Sequence, residues 1–138
     1  MRLWALAILD QLPRQQLLGQ HRECCALRGK GWGRKHSTVD YVCTYSLGHL
    51  YEYHLRVMSE MVRRGYNVDV LWYDRLYRGK KMPKGLLQTI GTYVAREGDR
   101  IYREHNVKYL DECISNLAVK GVKIDRNMAL KRMKGACQ

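Results

Sequence analysis

Apolar residues recur every three or four positions in several stretches of the chain, which is the spacing of one buried helix face. The clearest stretch starts after Ser46, a residue type that caps helices, and stops at Gly65, a residue type that ends them. This pattern predicts a long helix that runs to Arg64. Its predicted apolar face consists of Leu50, Tyr53, His54, Val57, Met58, Met61 and Val62.

A second stretch with this spacing lies nearer the start of the chain. Pro13 suits the first position of a helix and Gly29 suits its end, so residues 13–29 are predicted to be helical. The glycine-rich, basic run over residues 29–36 predicts a flexible cationic loop that takes no part in the core. The predicted buried stripe of the helix contains Leu17, Leu18, His21, Cys24, Cys25 and Leu27.

The second half of the chain has less regular patterns. Asp99 suits a helix cap and Gly121 a helix stop, which predicts a helix over residues 99–120. Weaker patterns predict a helix over residues 83–95, with two interrupting glycines, and a short helix over residues 127–133. The side chains predicted to face inward from the 99–120 helix are Tyr102, Val107, Leu110, Cys113, Ile114 and Leu117.

The two strongest helices of these stretches share an internal echo. At one constant offset, His49, Tyr53, Ser59, Gly65 and Asp69 recur as His105, Tyr109, Ser115, Gly121 and Asp125. A duplicated helix-plus-turn unit would explain this recurrence, and so would two helices with the same packing and stop requirements. Two copies are too few to indicate a solenoid.

Helices and loops are therefore the predicted elements, and the predicted fold is an all-α, compact single-domain helical bundle with long connecting loops. The chain has 138 residues, within the range of roughly 100–200 that one hydrophobic core serves. Hydrophobic residues make up 46% of the chain, which is enough to fill a core and argues against disorder. We expect residues 1–138 to form one domain and the protein to be a monomer.

The charge of the chain indicates an anionic partner. Lys and Arg number 25 against 13 Asp and Glu, which gives a formal net charge of +12. Nucleic acid fits this excess best, because binding releases counterions from the phosphate backbone. A membrane surface is the alternative, but no apolar stretch approaches the ~20 residues of a membrane span. The early apolar stretch ends at Asp10 without a small-residue cleavage site, so we expect a cytoplasmic protein that does not act at membranes.

The five cysteines show no spacing that indicates disulfides or a metal site. They occupy positions 24, 25, 43, 113 and 137, and no Cys-x-x-Cys motif is present. Their number is odd, and adjacent cysteines rarely pair with each other. We therefore expect free thiols in a reducing compartment, no metal and no cofactor.

The densest cluster of chemically active side chains starts on the first helix. Arg22 and Glu23 lead into the glycine-rich loop, which carries Arg34, Lys35 and His36 and lacks the Gly-Lys-Ser/Thr ending of a phosphate-binding loop. A carboxylate among cations could stabilise positive charge developing on a sugar or act as a general base. The alternative is a solvated arginine and glutamate on an exposed helix face.

The order and spacing of three motifs resemble the pyrimidine-dimer DNA glycosylase family, the small endonuclease V type. The motifs are Gln15-Gln16-Leu17 leading to Arg22-Glu23, then Arg34-Lys35-His36, then Arg63-Arg64-Gly65-Tyr66-Asn67 closing the long helix. The resemblance is good over residues 1–36 and plausible over residues 46–68. It implies a compact all-helical enzyme that acts on double-stranded, damaged DNA, with N-glycosylase and AP-lyase activities.

The resemblance also implies roles for individual residues. An N-terminal α-amine attacks the sugar and forms a Schiff base, with Glu23 as the catalytic carboxylate and Arg2 and Arg22 as DNA contacts. In the family the best-known nucleophile is a threonine exposed by removal of the initiator methionine, whereas here Arg2 follows Met1. Either the Met1 amine serves, or the lyase step is lost and a non-catalytic nucleic-acid-binding protein remains. An α-amine suits the reaction because its pKa, about 7.7–8.0, lies below the ~10.4 of lysine.

Further candidates for DNA contact are basic and aromatic residues in two loops, because an enzyme that exposes a sugar needs phosphate anchors and wedges. In the first loop these are Trp32, Arg34, Lys35 and His36. In the connector after the long helix they are Trp72, Tyr73, Arg75, Arg78, Lys80 and Lys81. The alternatives are partial burial in the core for the aromatic residues and a solvated surface for the basic ones.

Overall fold

The computed structural model of the chain describes residues 2–34 and 39–136. Five α-helices occur in these residues: α1 (Arg14–Arg28), α2 (Leu47–Arg63), α3 (Leu87–Ile90), α4 (Val107–Val119) and α5 (Arg126–Ala136). Three short 3₁₀ helices cover Leu6–Gln11, Asp40–Thr44 and Val70–Tyr73, and the described residues contain no strand. The predicted all-α fold is thus confirmed.

The ends of α1 and α2 lie close to their predicted positions. Pro13 occupies the cap position of α1, and its first helical residue is Arg14. Ser46 occupies the cap position of α2, which closes on Gly65 with φ of +83°. Glycine suits that residue because other side chains are strained at positive φ.

Two predictions for the second half were wrong in extent. The predicted helix over 83–95 is reduced to the single turn of α3, which ends at Gly91 with φ of +79°. The predicted helix over 99–120 starts only at Val107, because Asn106 is the cap and its Oδ1 accepts a bond from the Tyr109 amide at 3.0 Å. Asp99 instead closes a turn by accepting from the Arg96 amide at 2.7 Å.

The core consists of one cluster of buried apolar side chains that extends from Leu3 to Ala129. The N-terminal apolar stretch, including Leu3, Trp4, Ala5, Ile8, Leu9 and Leu12, is buried in it. α1 packs against α2, and the 3₁₀ helix Leu6–Gln11 packs against α2 and α5. Two residues predicted to face inward do not: Val62 is 54% exposed and Val107 is 43% exposed.

A pair of arginines joins the end of α1 to the connector after α2. The buried guanidinium of Arg28 donates to the carbonyls of Trp72, Asp74 and Tyr77, each at 2.9 Å. Arg78 of the connector bonds in the opposite direction: its Nε donates to the Arg28 carbonyl at 2.8 Å. The connector is therefore fastened to α1 through backbone carbonyls.

No helix in the described part of the chain is long and apolar enough to cross a membrane.

Candidate active site

Three side chains hold the first described residues of the chain in place. The Gln20 amide both accepts from the Trp4 backbone N–H at 2.6 Å and donates to the Arg2 carbonyl at 3.1 Å. Tyr53 donates to the Trp4 carbonyl at 2.6 Å, and Tyr109 donates to the Leu3 carbonyl at 2.5 Å. Residues 2–4 thus have their backbone groups bonded to α1, α2 and α4, which fixes the position of this segment.

A cavity of about 310 Å³ lies between this segment, α1 and α4. Four of its residues, Gln16, Gly19, Gln20 and Glu23, follow the spacing i, i+3, i+4 and i+7 and so share one face of α1. α4 and the turn that follows it contribute Asn116 and Lys120. Arg2 and Trp4 complete the lining from the N-terminal segment.

Among the residues that the structure describes, Glu23 is the one carboxylate in the lining of this cavity, which also contains the cations Arg2 and Lys120. Its Oε2 atom is buried, and among the described residues it has no hydrogen-bond partner. A buried carboxylate oxygen without a donor is unusual, because desolvation of such an atom is costly. The geometry suits a carboxylate that a bound cationic or hydrogen-bond-donating group would satisfy.

A second, more open cavity of about 650 Å³ adjoins the first through two shared residues, Arg2 and Asn116. Its other lining residues lie on α4: Lys108, Asp111, Glu112, Ser115 and Val119. The Arg2 guanidinium lies between the cavities, 3.7 Å from a Glu112 oxygen and 5.5 Å from the centre of the Tyr109 ring. A charged side chain therefore stands where the two cavities meet.

Tyr109, which bonds the N-terminal segment, and its neighbour His105 both stay uncharged near neutral pH. His105 is buried and stacks on Tyr109, with ring centres 4.5 Å apart. Burial lowers the pKa of His105 to about 3, and burial raises the pKa of Tyr109 to about 12. Tyr109 therefore keeps the proton that it donates to the Leu3 carbonyl across the range in which proteins are usually studied.

The predicted site residues are distributed unevenly around these cavities. Glu23 and Arg2 line the first cavity, whereas Arg22 is exposed and is not among the lining residues. Arg34 is exposed, and Trp32 is partly buried against the core, so the interpretation of its loop as taking no part in the core was wrong. Met1, Lys35 and His36 lie outside the described residues.

Of the candidate DNA contacts in the connector, some are bonded within the protein or partly buried and others are exposed to solvent. Arg75 donates to the Gly91 and Tyr93 carbonyls at 3.2 and 2.6 Å, and Arg78 is bonded to α1. Trp72 is partly buried, with its ring centre 4.8 Å from that of Tyr77. The exposed members of the set are Tyr73, Lys80 and Lys81.

A cluster at the α1–α2 interface contains side chains that can bind a metal, but its hydrogen bonds place a proton on the nitrogen that would have to bind it. The ligand atoms of His21, Cys25 and His54 lie within 4.8 Å of one another. However, Arg28 Nη1 lies 2.9 Å from His54 Nδ1, and a guanidinium can only donate. The His54 proton must then reside on Nε2, the nitrogen a metal would require, which lies 2.8 Å from His21 Nδ1.

The thiol in this cluster is equally unsuited to nucleophilic chemistry. Burial raises the pKa of Cys25 to about 11, so the reactive thiolate is scarce at neutral pH. Burial and Arg28 hold the pKa of His54 well below its usual value. We interpret the cluster as a hydrogen-bonded chain from Arg28 through His54 to His21 that stabilises the helix interface.

Sequence reasoning missed Gln20, Asn116 and Lys120 as residues of the site. Gln20 could have been found, since it precedes Glu23 by one helical turn and shares its face. Asn116 and Lys120 lack such a signal, because their place beside Glu23 depends on how α4 packs.

Comparisons with known proteins agree with the early motifs. A sequence model of the pyrimidine dimer DNA glycosylase family matches residues 1–74, which include α1, α2 and Glu23. No curated protein and no solved structure matches the chain significantly. The family match covers more than half of the chain and carries with it a glycosylase-type role in DNA repair, with DNA as the substrate. The chain belongs to the pyrimidine dimer DNA glycosylase family.

Proposed function

We propose that the protein is a DNA-repair N-glycosylase with AP-lyase activity, acting on pyrimidine-dimer-like lesions in double-stranded DNA. The observation that carries this proposal is the buried Oε2 of Glu23, which has no hydrogen-bond partner in residues 2–34 and 39–136 and which shares a cavity with Arg2. The first described residue of the chain thus lines the same cavity as this carboxylate. The α-amine of Met1, which precedes Arg2, is the proposed nucleophile.

The proposed reaction starts with attack of the neutral amine on C1′ of the damaged nucleotide. The bond from C1′ to the base breaks, and the base leaves with its electron pair and takes up a proton. The attacking nitrogen then loses a proton, and its lone pair opens the sugar ring: the C1′–O4′ bond breaks, O4′ keeps the electron pair and takes up a proton, and a protonated Schiff base remains. The Glu23 carboxylate stabilises this cation, as opposite charges do most strongly away from water.

Strand cleavage follows by β-elimination in the proposed mechanism. A base removes a proton from C2′, the C3′–O bond breaks, and the phosphate leaves with the electron pair. Water then hydrolyses the Schiff base and restores the amine. Glu23, which lines the cavity, is the base that we propose for the C2′ proton, and this gives it a role in both steps.

Binding of DNA is proposed to depend on cations outside the cavity. The net charge of +12 favours association with the phosphate backbone. Arg22 and Arg34 are exposed, and Arg2 lines both cavities. We propose these three as DNA contacts together with Trp32, Lys35 and His36, with the strand displaced so that one nucleotide enters the cavity.

Glu23→Gln tests the proposal, because it removes the charge and keeps the shape of the side chain. The variant is expected to lose nicking of ultraviolet-irradiated duplex while binding it with nearly unchanged affinity. Glu97→Gln is the matched control: Glu97 is exposed, lies outside both cavity linings and should nick like the wild type. Wild-type nicking by Glu23→Gln would refute the role of Glu23. Binding without nicking by the wild type itself would favour a non-catalytic DNA-binding protein.

A further inference from the structure

The side chain of Arg2 is held by α4, whereas its backbone carbonyl is bonded to Gln20 of α1. The guanidinium lies 3.7 Å from a Glu112 oxygen and 5.5 Å from the centre of the Tyr109 ring. Burial raises the pKa of the Cys113 thiol, and the nearby Arg2 charge acts against this increase. Tyr109, Glu112 and Cys113 follow the spacing i, i+3 and i+4, so one face of α4 carries all three groups.

Glu112 is the member of this group that opposes contact between Arg2 and DNA. Its side chain is 53% exposed and that of Arg2 is 20% exposed, so an anion from solvent can reach the pair. A carboxylate and a phosphate both accept hydrogen bonds from a guanidinium. Because both are anions, they repel each other when they meet at one arginine. The Glu112 carboxylate and a DNA phosphate are therefore competitors for Arg2.

The pair of Arg2 and Glu112 is loose, which makes such an exchange feasible. At 3.7 Å the two side chains attract each other by charge without a hydrogen bond, and ion pairs open to water contribute little to stability. The neighbouring carboxylate of Asp111 lines the same second cavity but is bonded by Arg126 at 2.7 and 3.2 Å. Of these two carboxylates, Glu112 is thus the one that is paired with a residue of the Glu23 cavity.

We propose that Glu112 is a positioning residue, which holds the Arg2 guanidinium where the two cavities meet until a DNA phosphate displaces the carboxylate. In the complex the phosphate binds the guanidinium and the Glu112 side chain turns to solvent. DNA binding thus exchanges one ion pair for another, and this exchange lowers the affinity for DNA. The inference rests on the proposed function, because it takes Arg2 as a DNA contact.

A double-mutant cycle on DNA binding tests this exchange. Affinities of the full-length wild type, Glu112→Gln, Arg2→Gln and the double variant are measured for a duplex with a tetrahydrofuran abasic analogue, which lacks the aldehyde carbon and cannot form a Schiff base. Glu112→Gln keeps the shape and removes the competing charge, so affinity at low salt is expected to rise about threefold. In the Arg2→Gln background the same substitution should change affinity by less than about 1.5-fold.

Asp111→Asn is the matched control, since it also removes a carboxylate from the second cavity, but one that is paired with Arg126. Its effect on affinity should be the same with and without Arg2. Equal gains from Glu112→Gln in both backgrounds would indicate general repulsion of DNA and overturn the inference, and so would weaker binding by Glu112→Gln. If the wild type forms no Schiff base on a natural abasic site but the gain still depends on Arg2, the proposed lyase chemistry fails and the role of Glu112 stands.

Discussion

Tyr53 on α2 and Tyr109 on α4 donate hydrogen bonds to consecutive carbonyls of the N-terminal segment, those of Trp4 and Leu3. The two tyrosines are equivalent positions of the internal echo in the sequence, so the same residue of each helix-plus-turn unit performs the same task. This relationship suits a duplicated unit, and it equally suits two helices with one packing requirement. In both cases the two hydrogen bonds explain how the chain holds Arg2 in the lining of the cavity that also contains Glu23.

Removal of either hydroxyl should loosen this segment. Tyr53→Phe or Tyr109→Phe leaves a carbonyl without its donor, which is expected to lower the free energy of unfolding by about 0.5–1.5 kcal/mol. Each variant should also slow cleavage of lesion-containing DNA, because the N-terminal segment, whose Arg2 and Trp4 line the cavity, is held less rigidly. Urea unfolding and a nicking assay measure the two effects.

Tyr51→Phe is the matched control for these variants. Its hydroxyl donates to the Tyr73 carbonyl at 2.6 Å, and Tyr51 lines neither cavity. A similar loss of stability with normal cleavage is expected. Equal cleavage defects in all three variants would show that the tyrosines act through stability alone.

Gly19 sits inside α1, where glycine is unfavourable, and it lines the cavity. A Cβ at this position would meet only the Arg22 side chain, at an ordinary 3.8 Å. Gly19→Ala is therefore expected to raise the free energy of unfolding by about 0.5–1 kcal/mol and yet reduce cleavage, because the methyl group enters the cavity. Thermal unfolding and nicking would be measured on the same sample; increased stability with full activity would argue against substrate entry at this face.

Arg28→Met should be among the most damaging substitutions in the chain. It removes the donor for three connector carbonyls, and unsatisfied buried acceptors of this kind cost about 1–3 kcal/mol each. Arg28→Lys should not restore stability, since an ammonium cannot reproduce the planar fork. Arg22→Ala, at an exposed position of the same helix, is expected to change stability by no more than about 0.5 kcal/mol. Comparable stability of the three variants in urea would exclude the anchoring role.

The buried histidines predict a loss of stability in mild acid. Burial lowers the pKa of both His54 and His105 in the folded protein, so between these values and about 6.5 the unfolded chain binds more protons. Their contribution is therefore complete above about pH 6.5 and declines as the pH falls, by up to about 1.4 kcal/mol per pH unit for each histidine. Urea unfolding over this range measures the slope, and His54→Asn should reduce it. The same slope in both proteins would contradict this assignment.

Local signals in the sequence were sufficient to predict α1 and α2. Pro13, Ser46 and the glycine stops act through their own backbone preferences, which distant contacts did not override. The start of α4 was mispredicted because Asp99 and Asn106 are both good caps, and packing of the 99–106 segment selected the second.

The candidate site could be predicted in part on α1 and at the start of the chain, but not on the α4 side. Glu23 and Arg2 were predicted from the sequence, and both line the cavity. Gln20 and Arg28 are buried although polar side chains usually face solvent, and only the backbone groups that they bond justify their burial. Asn116 and Lys120 join the site through the packing of α4, which no local pattern encodes.

In the proposed mechanism the N-terminal amine reacts with the sugar in the cavity that Glu23 lines. Borohydride trapping of the protein on duplex DNA with an abasic site, followed by peptide mass spectrometry, shows which amine reacts. We expect a covalent complex whose DNA remnant lies on the α-amine of a retained Met1 and which disappears when that amine is blocked. A remnant on a lysine such as Lys120, or full DNA binding without any trapped complex, would refute the mechanism.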